Sequence, residues 1–393
     1  MKKSSKKNFF DEFIINLKNQ DKALLFCTIA LTIWGLFNIV TASSRESVTH
    51  FDQSLYYYFF RHLVMISIGF VISLCIINIS SKKHYFLSTL GYVGIIILII
   101  VALISSAIRG ANSWLFGGSI QPSEFAKPIL IVFLSCAYDK YQKKLRVKDY
   151  KERVKYIIRF LILSFIIPLL VFLQRDAGTA IIIFSIVGIL YLVNPMTRID
   201  KFKSILFGLG AALFLGLVLL FAQGSILTKE QKSRIKYWLN PCQNYENGGY
   251  QVCNGYIAFN QGGLFGLGLG KSQQKYSYIP EPHTDSVFAI IAEELGAIKC
   301  GFIFILYGVL LYRICKIGSK ATKLRSRYMC VGVATYIFVH IFINLGGLFG
   351  IIPVTGIPLP FFTYGGSFTI SLLASIAFVQ KVHIETKLSK ITI

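Results

Sequence analysis

The stretch Tyr278-Ile-Pro-Glu-Pro-His-Thr-Asp285 gathers the side chains that handle protons, with two prolines stiffening the approach. It stands directly before an apolar run at 286–312, so Glu281, His283 and Asp285 are delivered to a membrane boundary. Partial desolvation there pushes a carboxylate towards the range that a general base needs. Asp285 or Thr284 in the same place also suits a helix N-cap, and spacing alone leaves the two readings open.

A second set lies in Gln121-Pro-Ser-Glu-Phe-Ala-Lys127, where Glu124 and Lys127 are three apart, share a helical face and can pair. Ionisable groups inside a span are costly and mark functional sites by default, although a purely structural ion pair fits equally well. Glu293, Glu294 and Lys299 repeat the arrangement in the run 286–312. Asp176, in Gln174-Arg-Asp-Ala-Gly-Thr179, sits in a turn between two apolar runs and either contacts a ligand or caps the next helix. Upstream, Arg234-Ile-Lys-Tyr-Trp-Leu-Asn-Pro241 supplies cations and interfacial aromatics, and the glycine-rich Gly262–Gly270 would let backbone approach a phosphate, a weak signal by itself.

Membrane-crossing helices must position these residues. Hydrophobic residues make up 54% of the 393-residue chain and charged residues 15%, more apolar side chain than a soluble domain of that length buries, and far too much for a disordered one. Runs long enough to cross a bilayer fall at 23–43, 57–80, 87–108, 121–138, 157–173, 179–196, 204–223, 286–312, 328–345 and 367–382. The expected fold is an all-α polytopic membrane protein of about ten transmembrane helices. Its parts are an N-terminal segment 1–22, a membrane domain 23–382 with one large extracytoplasmic loop 224–283, and a C-terminal tail 383–393. Of the 41 Lys and Arg, 28 lie in 1–22, 81–86, 139–156, 197–203, 313–327 and 381–393, a bias that sets both termini in the cytoplasm. The net charge of +23 therefore needs no nucleic acid.

The first run exceeds the apolar core of a signal peptide and follows a long polar segment, so an uncleaved first helix is expected. Cys242 and Cys253, the only cysteines expected outside, are close enough in sequence to pair, and the sequence leaves the bond open. Seven of the ten prolines fall at or beyond the outer ends of spans. Pro353-Val-Thr-Gly-Ile-Pro-Leu-Pro360 in particular reads either as irregular backbone lining an outward cavity or as a set of tight surface turns.

In order along the chain, Arg109-Gly-Ala-Asn-Ser-Trp114, Gln121–Lys127, Gln174–Thr179, Gly249-Tyr-Gln251, Gly262–Gly270, Pro280–Asp285, Ala292-Glu-Glu-Leu-Gly296, Pro353–Pro360 and Tyr364-Gly-Gly-Ser367 resemble the SEDS family of FtsW, RodA and SpoVE. The wording Gly266–Lys275 is closer to FtsW and SpoVE than to RodA. The resemblance implies a peptidoglycan glycosyltransferase that polymerises lipid II on the outer face of the cytoplasmic membrane, working with a class B penicillin-binding protein and other membrane proteins of the division or elongation machinery. By matching position it implies Asp285 as catalytic aspartate, Glu124 and Lys127 as the paired charges of the fourth helix, and Arg109 and Trp114 as an outer-loop pair. The chain departs from the family pattern at Arg175, where Pro is usual, at Ser286, where Phe is usual, and at Gly255, where Ser is usual.

The chemistry implied asks for a carboxylate to take a sugar hydroxyl's proton, cations to stabilise a departing pyrophosphate, and a path for polyprenyl tails. Asp285 suits the first, and Arg109, Lys127 and Arg234 suit the second; Trp114, Glu124, Asp176, Glu281 and His283 join them as candidate substrate contacts. No cofactor is required, although a divalent cation, Mg or Mn, at the pyrophosphate is compatible; His283 and Asp285 alone are thin ligands for one. Two other classes compete: a lipid II flippase, which would show internal repeats that are not evident, and a non-catalytic scaffold, in which the outer acids would be dispensable.

Overall fold

The structure, a computed structural model, describes residues 9–49, 54–80, 83–106, 111–147, 149–206, 208, 238, 240–243, 245, 249–276, 279 and 282–391. Its helices are α1 (Phe9–Lys18), α2 (Lys22–Thr49), α3 (Tyr57–Asn78), α4 (His84–Ile104), α5 (Pro122–Lys140), α6 (Tyr150–Leu173), α7 (Ala177–Val193), α8 (Tyr250–Gly262), α9 (Val287–Lys320), α10 (Leu324–Leu348) and α11 (Gly366–Ile391). A further helical stretch covers 198–206. Among the described residues there is no β-strand, only an isolated bridge between Leu115 and Ile120.

Seven of these helices, α2, α3, α4, α6, α9, α10 and α11, are long and apolar enough to cross a membrane, and α7 is a shorter apolar helix. The chain is a polytopic all-α membrane protein. The run 204–223 lies almost wholly outside the described residues, and each of the other nine apolar runs overlaps one of the helices α2–α7 and α9–α11. Packing sorts the helices into a centre and a rim. α10 lies against α5, α7 and α9, and α11 against α3 and α5; 83% of the most apolar stretch of α11 is buried, against 22% for α3. On α2 the exposed Phe26, Ile29, Ile33 and Phe37 form one stripe at helical spacing, while Leu24 and Leu31 on the opposite face are fully buried, as expected of a helix with one side in lipid.

The local sequence explains most helix ends. Pro122 opens α5 in the first turn, where a missing N–H costs nothing, and Asp176 caps α7 by accepting the Thr179 N–H at 3.1 Å. One span departs from expectation. α9 is broken at Gly296 (φ 78°, ψ 170°), so 287–295 forms a short buried helix ahead of the longer limb that ends at Lys320. The break is where the chain after α8 crosses: the Leu267 and Gly268 N–H groups donate to the Glu293 and Glu294 carbonyls, and those of Ala297 and Ile298 to Gly263 and Leu264. A Cβ on Gly296 would stand 2.3 Å from the Gly266 nitrogen, so this left-handed crossing admits only glycine.

Two polar ties fix α2 beside α9. At one end, Asp21 accepts hydrogen bonds from the Leu24 N–H and the Arg313 guanidinium, while its own N–H and carbonyl pair with the Gln380 amide of α11. Burial alone would raise the Asp21 carboxyl, but the Arg313 hydrogen bond, the Leu24 N–H and the Arg313 charge outweigh it and hold the group below the usual carboxylate value. At the other end Glu46 lies 3.1 Å from His283 Nδ1, just before α9 begins. The start of α2 thus meets Arg313 in the second half of α9 and Gln380 in the second half of α11, and Asp285 lies towards the other end of α9.

Candidate active site

Asp285 is half-buried at the mouth of a small cleft walled by Asn344, Gly347, Val354, Thr355 and Gly356. Its carboxylate accepts from the Thr284 hydroxyl at 3.1 Å and from the Gln251 amide of α8 at 3.5 Å. The same amide donates to the Ser286 hydroxyl at 2.6 Å. α9 starts after Ser286 with no side-chain cap hydrogen bond, so the capping role open to Asp285 or Thr284 is not the one adopted. The backbone beneath the carboxylate is pinned by Asn344 of α10, whose buried amide donates to the carbonyls of Asp285 and Ile357, each at 2.7 Å.

The segment 353–360 is the hub. One helical turn before Asn344, His340 Nδ1 lies 3.1 Å from the Pro358 carbonyl oxygen, and its Nε2 lies 3.0 Å from Lys127 Nζ. Lys127 in turn donates to Glu124 at 2.7 Å and faces the rings of Tyr336 and Phe368. The pairing read from the i,i+3 spacing is therefore present, but Lys127 is wholly buried and committed to Glu124 and His340 rather than open to the cleft. Asp176 binds the Gln121 amide at 2.8 Å besides capping α7, whose Gly178 packs on Thr355 and Ile357. Of the two readings of the 353–360 segment, irregular backbone lining a cavity is the one adopted at 354–357, which walls the cleft.

Other candidates lie apart from this cluster. His283 is buried, its ring 4.4 Å from that of Tyr58 and 5.6 Å from that of Tyr364, whose N–H donates to the His283 carbonyl. Trp114 is half-buried, and its carbonyl accepts from Ser105. Arg109, Arg234 and Glu281 lie outside the described residues.

Two expectations are corrected. Glu293 and Glu294 do not pair with Lys299, which is exposed beyond the Gly296 break. Glu294 binds Lys275 at 3.1 Å, and Glu293 accepts from the Ser272 hydroxyl and from the N–H groups of Gln273 and Gln274, so the two glutamates clamp the turn after the glycine run. Within the glycine run, Gly262 and Gly266 pack on backbone at 292–295, so their lack of a side chain serves a chain crossing. Cys242 and Cys253 are joined in a disulfide that ties the large loop to α8. Gln251, Asn344, His340 and Lys275 had no assigned role; the available signal was a histidine and an asparagine four apart in the apolar run 328–345.

A family model described as FTSW_RODA_SPOVE, cell cycle protein, matches residues 21–388. The chain belongs to the FtsW/RodA/SpoVE family. Among its relatives is a protein named probable peptidoglycan glycosyltransferase FtsW from Bacillus subtilis, 31% identical over 95% of this chain and 93% of that protein. Another is stage V sporulation protein E of the same organism, 33% identical over 92% of this chain and 96% of that one. Among solved structures, a chain from work on the coordination of polymerization and crosslinking by a peptidoglycan synthase complex superposes with a TM-score of 0.72 at 25% identity, covering 93% of this chain and 98% of that one. The rod shape determining protein RodA of Thermus thermophilus gives 0.64 at 25% identity, covering 93% and 96%.

Within this family frame two of the three departures have local explanations. Arg175 takes φ 64°, a conformation that the fixed φ of proline forbids, so the turn before Asp176 is specific to a non-proline residue. Ser286 replaces an aromatic ring with a hydroxyl that holds Gln251 beside Asp285. Gly255 has open space where a Cβ would point, so nothing in its surroundings demands glycine.

Proposed function

We propose that this protein is a peptidoglycan glycosyltransferase of the bacterial cytoplasmic membrane that joins lipid II into glycan strands at the outer face, with both termini in the cytoplasm and Asp285 as general base. Family membership and the activity named for its relatives support the reaction class. The observation that carries the residue assignment is the cleft at Asp285, where the carboxylate is oriented by Thr284 and Gln251 and its backbone is locked by Asn344. The charge bias supports an outer position for that cleft, because the opposite end of α2 and α9 adjoins the Lys- and Arg-rich segments.

In this reading an acceptor sugar hydroxyl attacks the anomeric carbon of the donor and passes its proton to Asp285. The bond from that carbon to the pyrophosphate breaks, and the pyrophosphate leaves with the electron pair, so a direct displacement inverts the α-linked donor to a β-1,4 bond. Cations offset the developing negative charge. Lys127 is tied up beneath the hub, so this task falls to Arg109 and Arg234, and Lys127 acts on the shape of the 353–360 segment through His340. Among the described residues no three His, Cys, Asp or Glu side chains gather where they could hold a metal, and His283 turns its ring into Tyr58, so no step is routed through a cation. A class B penicillin-binding protein, together with other division or elongation proteins, completes the assembly.

The test is strand synthesis from labelled lipid II by the purified protein with its penicillin-binding partner. Wild-type protein is expected to make polymer and Asp285→Ala none, while inserting and purifying normally; polymer from Asp285→Ala at the wild-type rate would overturn the assignment.

A further inference from the structure

A cleft of about 190 Å³ opens between α4, α5 and α6, at the far end of α5 from Gln121 and Glu124. Its floor is Tyr92 stacked on Phe133 at 4.2 Å, and the Tyr92 hydroxyl is satisfied by the Leu163 carbonyl at 2.6 Å, so the floor presents an apolar surface. Tyr141 and Tyr156, with ring centroids 5.9 Å apart, build one wall and Tyr85 the other. Two cations stand at the cleft. Arg159 lines it directly, and Lys140 Nζ lies 4.1 Å above the Tyr85 ring.

Both cations are exposed, and among the described residues neither has a carboxylate partner. The nearby Glu152 is engaged elsewhere, pairing with Lys144 at 2.8 Å. Arg159 lies nine residues into α6, roughly 13 Å along the helix from its first residue, which puts it below the charged first turns and close to the hydrocarbon. An exposed guanidinium at that depth requires a counter-charge or a path to water. The cleft opens beside the exposed Val93 of α4, and Leu90 of α4 and Ile162 of α6 nearby in sequence are exposed apolar side chains.

We propose that this cleft binds an anionic phospholipid, its phosphate held by Arg159 and Lys140 and the upper part of an acyl chain on the Tyr92–Phe133 floor. A free phosphate would leave the apolar floor unused, and a zwitterionic lipid would leave the pair of cations uncompensated. Basic pockets between helices at the cytoplasmic side are the usual place for such headgroups, and the charge bias assigns this end to that side. The site is separate from the Asp285 cleft and does not depend on the reaction assigned there.

Native mass spectrometry of the full chain released from nanodiscs holding equal amounts of phosphatidylglycerol and phosphatidylcholine tests this. The wild type is expected to retain one phosphatidylglycerol in preference to phosphatidylcholine. Loss of both charges in R159Q/K140Q should lower that retention roughly 10- to 30-fold. Val93→Trp, which fills the cleft and leaves the charges in place, should lower it as well. Equal retention of the two lipids by the wild type, or undiminished phosphatidylglycerol in R159Q/K140Q or in Val93→Trp, overturns the proposal, as does preference for a polyprenyl pyrophosphate added in competition.

Discussion

Asn344 offers the sharpest test of how the Asp285 cleft is held. Asn344→Leu keeps the branched skeleton and removes the one amide that donates to both the Asp285 and the Ile357 carbonyls at 2.7 Å. Each such bond contributes about 1 kcal/mol net, rising to about 1–3 kcal/mol where the carbonyl is left buried and unpaired. For two bonds from a side chain that is 5% exposed, the total is about 2–4 kcal/mol. The half belonging to Asp285 acts on the placement of the base; about 1–2 kcal/mol there lowers turnover roughly 5- to 30-fold. The assay is the initial rate of strand formation from labelled lipid II across a concentration series, with thermal unfolding in detergent alongside. Because Asn344 touches backbone rather than substrate in this account, kcat should fall while KM changes little. A lowered unfolding midpoint with wild-type kcat would refute the positioning role and leave Asn344 as a packing residue only.

Three further outcomes are expected. Gly296→Ala, which forces a Cβ to within 2.3 Å of the Gly266 nitrogen at a positive φ, should destabilise the protein by at least about 3 kcal/mol, whereas Gly308→Ala, with open space around it, should be nearly neutral; thermal unfolding compares them. The carboxyl of Asp21 is held below its ordinary value of 3.8, so the stability it supplies is complete above that value and is lost as pH falls through the lower folded value; unfolding midpoints below pH 5 should drop more steeply for the wild type than for Asp21→Asn. Alkylation of the unfolded, unreduced protein should label the six free cysteines, with Cys242 and Cys253 labelled only after reduction; labelling of all eight without reductant would contradict the disulfide.

What could be read from the chain is what is local. Apolar run length gave the spans, and the i,i+3 spacing gave the Glu124–Lys127 pair, because both are properties of one helix. His340, the other partner of Lys127, is 213 residues away, and only the packing of α10 on α5 brings them together. In an unbroken helix Lys299 would stand near Glu293 and Glu294; Gly296 resets the helical phase, and Lys275 from the preceding loop pairs with Glu294 instead. The glycines at 262–270 allow a close approach to the backbone, but their spacing does not tell whether a ligand phosphate or another part of the chain makes it. The Asp21–Arg313 tie is not legible in the sequence for the same reason: it joins residues 292 apart in the chain.

The most direct measurement follows polymer formation and lipid II translocation together, in proteoliposomes carrying the protein with its penicillin-binding partner, for wild type and Asp285→Asn. Glycan strands from the wild type and none from Asp285→Asn, at equal protein incorporation, is the predicted result. Strands from Asp285→Asn at the wild-type rate, or a wild type that moves lipid II across the bilayer without polymerising it, would contradict the account.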